Sequence, residues 1–181
     1  YRLQNMIINT LDCGYSGAEG IREAFAKSAD LLSDFRMVEE KKLIEDLFRE
    51  VNSHSGLGVY GLRDVIELLK NNVVKILIIT DDTNLNRVEG KCRRCQHIQE
   101  EIVERRDVIP KKTKFTNSPC PGCNSMEVEA NEQDIVDYLE LLTAKTGSRL
   151  EVVSGSAEHG VMLSSLGKVG AILRYNPGHA K

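Results

Sequence analysis

The chain has 181 residues and a formal net charge of −3; 41% of it is hydrophobic, 28% charged, and it carries five cysteines and no tryptophan. That length can bury a full hydrophobic core, and the balance of residue types is that of a globular chain rather than a disordered one. No run approaches the roughly 18–20 apolar residues of a membrane span, and the mild acidity argues against a general phosphate binder.

The opening residues lack the basic-then-apolar layout of a secretory signal, and without an initiator Met the chain is expected to be a piece of a longer polypeptide. Met6–Leu11 predicts a strand, followed by a turn over 12–17. Ser16 and Glu19 have the spacing of a capping box. Cys13, alone in an apolar run, is expected to be a buried thiol. Ile21, Phe25 and Leu32 mark one apolar helix face, and Ile44, Leu47, Phe48 and Val51 that of a second helix. Gly56 and Gly58 break the chain before a third helix carrying Leu62, Val65, Ile66 and Leu69. Val73–Ile79 then predicts a central strand buried on both faces.

From about Arg87 to Ala130 the alternation of helix and strand is interrupted. This stretch holds Cys92-x-x-Cys95 and Cys120-x-x-Cys123, two pairs with the spacing of a tetrahedral four-thiolate metal site. Pro119, Pro121 and Gly122 favour a tight turn at the second pair. Four thiolates fill the shell of zinc, so the expected metal is a structural zinc. Lys91, Arg93 and Arg94 can offset its excess negative charge. Disulfides or free thiols are the alternatives, both poorer readings of this spacing in a chain without secretory features. His97 is a possible substitute ligand, made a bystander by the four cysteines. Residues 111–114 read as a Lys-rich loop. A segment this small lacks the apolar surface to fold unaided, so 87–130 is expected to be a zinc-stapled minidomain without a core of its own.

Beyond it, Asn131 is placed to cap a helix carrying Ile135, Tyr138, Leu139 and Leu142, which Gly147 ends. Leu150–Val153 predicts a strand, Glu158–Leu166 a helix and Val169–Tyr175 a last strand. The class is α/β, with helices covering a sheet.

No phosphate-binding glycine loop, dinucleotide fingerprint or nucleophile elbow occurs. His54, His97, His159 and His179 are scattered and read as solvated, and no nucleophile, base and orienter come together, so an enzyme is not expected. Lys91, Arg93, Arg94, Lys111, Lys112 and Lys114 form a candidate RNA-backbone patch without aromatic stacking partners.

Several segments nevertheless share a pattern: Gly14–Ala24, Glu40–Ile44, Val59–Gly61, Val74–Ile78 and above all the closing run Leu166–Tyr175. In order and over nearly the whole chain they resemble the C-terminal domain of class-1 peptide chain release factors of archaea and eukaryotes. The paired cysteines look like the archaeal branch. The resemblance implies a three-layer α-β-α sandwich with a mixed sheet, formed by 1–86 and 131–181, with 87–130 inserted. It implies a cytoplasmic, non-membrane, non-enzymatic role in translation termination. The partners would be an elongation-factor-type GTPase, the ribosome and an ATP-binding-cassette recycling factor. Peptidyl-tRNA and mRNA would be met only by other domains, since the Gly-Gly-Gln and Asn-Ile-Lys-Ser motifs are absent here. The docking surface would be the first helix and last strand, carried over onto Ile21, Arg22, Ala24 and Phe25. Lys168 stands where the family usually has a second Gly. A Pelota-like rescue factor or a stand-alone RNA-binding protein of related fold are the alternatives, the first lacking the cysteine-bearing insertion.

Overall fold

The computed structural model describes residue 7 and residues 9–178, except the side chains at 30 and 31. Helix α1 spans Gly17–Asn52, 36 residues without a proline. It is rich in good helix formers and carries ion pairs at helical spacing, Glu23–Lys27, Arg36–Glu40 and Asp46–Arg49. The two helices expected here are therefore one. The apolar pattern loses phase within it: at 100° per residue, Ile21, Phe25, Leu32 and Phe35 lie about 110° around the axis from Ile44, Leu47 and Val51. The strand expected over Met6–Leu11 does not form at residues 7 and 9–11, while Met6 and Ile8 lie outside the described residues. Cys13 is exposed, not buried, and among the described residues before Gly17 no helix or strand forms.

The chain divides into two compact units, one ending at Leu43 and one spanning Ile44–Lys181. The second contains β1 (Gly58–Tyr60), α2 (Leu62–Lys70), β2 (Val74–Thr80), β3 (Leu85–Cys92), β4 (Ile98–Glu104), α3 (Val108–Thr116), β5 (Val128–Asp134), α4 (Ile135–Thr146), β6 (Arg149–Val153), α5 (Glu158–Ser165) and β7 (Val169–Leu173). Four strands make a mixed sheet in the order β1-β7-β2-β6. In it β7 runs antiparallel to β1 and β2, and β2 parallel to β6.

One face of this sheet, with Leu77, Ile79, Val169, Ala171 and Leu173, buries Val65, Ile66 and Leu69 of α2 and Ile135 and Leu139 of α4. On the other face Gly170 makes room for two helices: a Cβ there would come 2.5 Å from Leu47 Cδ2 and 3.4 Å from Leu163 Cδ1. Gly58 lets β1 pass against the end of α1, since its Cβ would lie 2.3 Å from the backbone nitrogen of Val51. Helix α4 starts at Ile135, where the Asp134 side chain accepts the Val136 N–H at 2.8 Å, and ends on Gly147 in the left-handed region. Asn131, expected as its cap, lies inside β5.

A second, antiparallel sheet has the order β4-β3-β5 and runs from Leu85 to Asp134. Helix α3 packs on it and includes the lysines expected in a loop. Val88, Cys92, Val108, Phe115, Cys120 and Val128 form its own small buried cluster, which corrects the expectation that this segment has no core. Two of those six side chains are cysteines.

Polar contacts tie the second sheet to the helices packed on the first. Glu100 on β4 accepts from Lys70 of α2 at 2.9 Å and from Arg87 of β3 at 2.7 Å. Arg87 also pairs with Glu89 and stacks 4.6 Å from the Tyr138 ring centre of α4. Beside them Leu62, Ile66, Leu85 and Ile102 line an open groove of about 550 Å³.

Candidate metal centre and partner face

Both cysteine pairs are built the same way. In the first, the Gln96 N–H donates to the Cys92 carbonyl at 3.0 Å and the Cys92 N–H to the His97 carbonyl at 2.9 Å. In the second, the Asn124 N–H donates to the Cys120 carbonyl at 2.8 Å and the Cys120 N–H to the Ser125 carbonyl at 2.8 Å. Gln96 and Asn124 both have φ 60°, so each turn closes through a left-handed residue just after its second cysteine. This repeat aims two thiols of each turn at the other pair. Gly122 packs closely on the first turn: a Cβ there would lie 3.3 Å from His97 Cβ, a tight contact, and 3.5 Å from Cys95 Sγ, an ordinary one.

Across the turns, Cys92 and Cys123 sulfurs are 3.6 Å apart and Cys95 and Cys120 sulfurs 3.5 Å. All four lie within 4.8 Å of one another, and all are free thiols. A tetrahedral ion with metal–sulfur bonds of about 2.3 Å separates its sulfurs by about 3.8 Å, so the four thiols can hold one metal ion. Their acidities fit that use. The Cys95 backbone N–H, with help from neighbouring donors, lowers Cys92 to about 7. The His97 N–H acts to lower Cys95 too, but hydrogen bonding among the clustered thiols and burial outweigh it and push Cys95 up to about 12. The Cys92 thiolate forms readily, and Cys95 resists ionisation until a cation arrives.

Of the expected counter-charges, Arg93 is engaged with Glu129, holding that carboxyl below its ordinary value, while Lys91 and Arg94 are exposed. In the candidate RNA patch Lys111 is paired with Glu101 and Lys112 with Glu132 at 3.0 Å. His54 and His97 are exposed, His159 lies 3.9 Å from Glu45, and His179 falls outside the described residues.

Far along the sequence from the cysteines, Ile21 and Phe25 are 60% and 67% exposed one helical turn apart on α1. Arg22 is exposed and Ala24 half-buried. A residue that sequence reasoning passed over is Arg174, in the closing run. Its guanidinium donates to the carbonyls of Val74, Thr146 and Gly147 at 2.9–3.0 Å, tying β7 to the start of β2 and the end of α4. Its place directly after a buried strand was the only signal.

Residues 37–177 match the family model of eRF1 domain 3. The chain is 36% identical over 177 residues to peptide chain release factor subunit 1 of Methanococcus vannielii, covering 97% of this chain and 42% of that protein. The corresponding protein of Thermococcus onnurineus is 32% identical over 176 residues, with the same two coverages of 97% and 42%. The chain thus spans about two fifths of the length of the curated relatives it matches. Among solved structures, the C-terminal domain of a peptide chain release factor from Methanosarcina mazei superimposes with a TM-score of 0.77 at 29% identity, covering 91% of this chain and 99% of that one. Archaeoglobus fulgidus Pelota shares the fold, with a TM-score of 0.51 at 18% identity over 92% of this chain and 39% of its own. The chain belongs to the eRF1 domain 3 family, as a C-terminal domain of the archaeal peptide chain release factor kind.

Proposed function

We propose that this chain is the partner-docking domain of a release factor in translation termination, a binding domain of the cytoplasm rather than an enzyme. Its partners are an elongation-factor-type GTPase, the ribosome and an ATP-binding-cassette recycling factor; stop-codon reading and peptidyl-tRNA hydrolysis belong to other parts of the protein. The observation that carries this reading is the match to domain 3 across residues 37–177. A structural zinc held by Cys92, Cys95, Cys120 and Cys123 staples residues 87–130 as an insertion on the α-β-α sandwich formed by 1–86 and 131–181. Four sulfur donors within 4.8 Å of one another are enough to fill a tetrahedral shell and leave no open position, which supports zinc in a structural role.

Docking by the first helix and last strand uses Ile21, Arg22, Ala24 and Phe25 on α1, of which Ile21, Arg22 and Phe25 are exposed, with the exposed Tyr60 and Tyr175 beside β7. The test is a calorimetric titration of the metal-loaded chain with an archaeal elongation-factor-type GTPase carrying a non-hydrolysable GTP analogue. Saturable binding, weakened at least about tenfold by Arg22→Glu, is expected, a loss of about 1.4 kcal/mol or more. No binding by the folded chain, or binding indifferent to Arg22→Glu and Tyr175→Ala, contradicts the reading.

A further inference from the structure

The four clustered cysteines differ in what surrounds them. Cys92 and Cys120 are 1% and 2% exposed and pack with Val88, Val108, Phe115 and Val128 in the buried cluster of the second sheet. Cys95 is exposed and Cys123 half-buried. Each turn thus has its first cysteine fixed in a core and its second within reach of solvent.

Each accessible sulfur also has a buried sulfur of the other turn against it. Cys95 Sγ lies 3.5 Å from Cys120 Sγ, and Cys123 Sγ 3.6 Å from Cys92 Sγ. The Gly122 N–H donates to Cys120 Sγ at 3.3 Å and fixes that buried sulfur in place. Main-chain bonds hold the two turns side by side. Cys92 pairs with Val128 in the ladder of β3 and β5, and the Arg93 N–H donates to the Glu127 carbonyl at 2.9 Å. An accessible thiol beside a buried second one is the arrangement in which oxidation ends in a disulfide rather than in an irreversible acid.

We propose that this cluster is an oxidation site for peroxides, in which Cys95 and Cys123 are attacked first and are resolved across the turns, giving Cys95–Cys120 and Cys92–Cys123 disulfides. The Cys95 thiolate attacks the peroxide, an S–O bond forms as the O–O bond breaks, and Cys95 becomes a sulfenic acid. The Cys120 thiolate then attacks that sulfur and displaces hydroxide. Cys123 and Cys92 follow the same course. For each pair, two thiolates give up two electrons, one hydrogen peroxide is reduced, and two protons from solvent complete two waters. Each pair must close by roughly 1.5 Å to reach a sulfur–sulfur bond of about 2.05 Å. The accessible cysteines, outside the core, make most of that movement. The disulfides join the same two turns as a metal would, so oxidation exchanges one crosslink for another instead of opening the second sheet. A disulfide sulfur offers no thiolate to a metal, so the two crosslinks exclude each other. This inference goes beyond partner docking and uses the sulfur geometry alone.

The test is hydrogen peroxide treatment of the Cys13→Ser chain, in which the fifth cysteine cannot join the pairing. Disulfides are mapped by fragmentation mass spectrometry, and hydrogen exchange follows the second sheet. The oxidised chain is expected about 4 Da below the reduced one, the four hydrogens of two disulfides, with Cys95–Cys120 and Cys92–Cys123 linked. Any bound zinc is expected to pass to a chromophoric chelator, while residues 85–134 keep the protection that chelation alone removes. Cys95→Ser in the same background, a change outside the core, is expected to form Cys92–Cys123 still and to leave Cys120 reduced. Disulfides within the turns, any other pairing, or sulfinic and sulfonic acids without disulfides overturn the proposal. So does exchange across 85–134 that rises on oxidation as it does on chelation. A chain purified without zinc that still forms both cross-turn disulfides contradicts the metal reading and supports this one, so the two fail separately.

Discussion

Lys168 has φ 68°, directly after Gly167 at φ 97°, so a residue with a Cβ occupies the left-handed region at the turn into β7. That conformation costs an L residue about 1 kcal/mol relative to glycine. The side chain offsets part of the cost, because its ammonium donates to Asp82 Oδ2 at 2.7 Å and to the Asp82 carbonyl at 3.1 Å. Lys168→Gly is therefore expected to stay within about 0.5 kcal/mol of the parent in urea denaturation, and Lys168→Ala to fall about 1 kcal/mol below it. Equal losses for both would contradict this balance. The same ammonium, with help from Thr80, holds the Asp82 carboxyl below its ordinary value. A depressed carboxyl stabilises the fold above the unfolded-chain value of about 3.9, and that contribution is lost as pH falls through the lower folded value. The stability gap between the parent and Asp82→Asn is thus expected at neutral pH and should close in acid; a gap independent of pH would show that Asp82 acts through shape alone.

At the scale of elements, two arginines hold the second unit's parts in place. Arg174 joins three carbonyls from β2 and the end of α4, a fork that lysine cannot reproduce. Arg174→Ala is expected to lower stability by about 1–2 kcal/mol, and Arg174→Lys to recover only a minor part. Full recovery by lysine would mean that charge matters and geometry does not. Arg87 is held within its own sheet by Glu100 and ties that sheet to helix α4 by stacking on Tyr138. These elements also show what a sequence can and cannot disclose. Helices α2 and α4 were legible because Leu62, Val65, Ile66 and Leu69, and Ile135, Leu139 and Leu142, keep helical phase. Helix α1 was read as two because its apolar face turns between Phe35 and Ile44. Strands β4 and β5 were missed because Gln, Glu and Asn fill them, and their pairing is set by cross-strand partners and by the cluster at one end. Residues 111–114 looked like a loop because of their lysines. They lie in helix α3 because Val108 and Phe115, seven apart, bury one side of it.

For the whole molecule, the cysteine site was legible in spacing alone. The large core needs no ion: Leu77, Ile79, Val169, Ala171 and the helices on them close it by apolar packing. The second sheet differs, since its six-residue core includes Cys92 and Cys120. Leaving those thiols buried without a metal removes both the crosslink and the packing it holds. Cys120→Ser is accordingly expected to raise hydrogen exchange across residues 85–134 while the sheet β1-β7-β2-β6 keeps its protection; unchanged exchange across 85–134 would contradict the account. The most direct measurement is metal content by elemental analysis, followed by hydrogen exchange before and after chelation. One zinc per chain is predicted, with chelation opening residues 85–134 and sparing the large core. A carefully purified, folded chain that contains no zinc, or whose exchange ignores chelation, would contradict the claim that a metal holds the second sheet together.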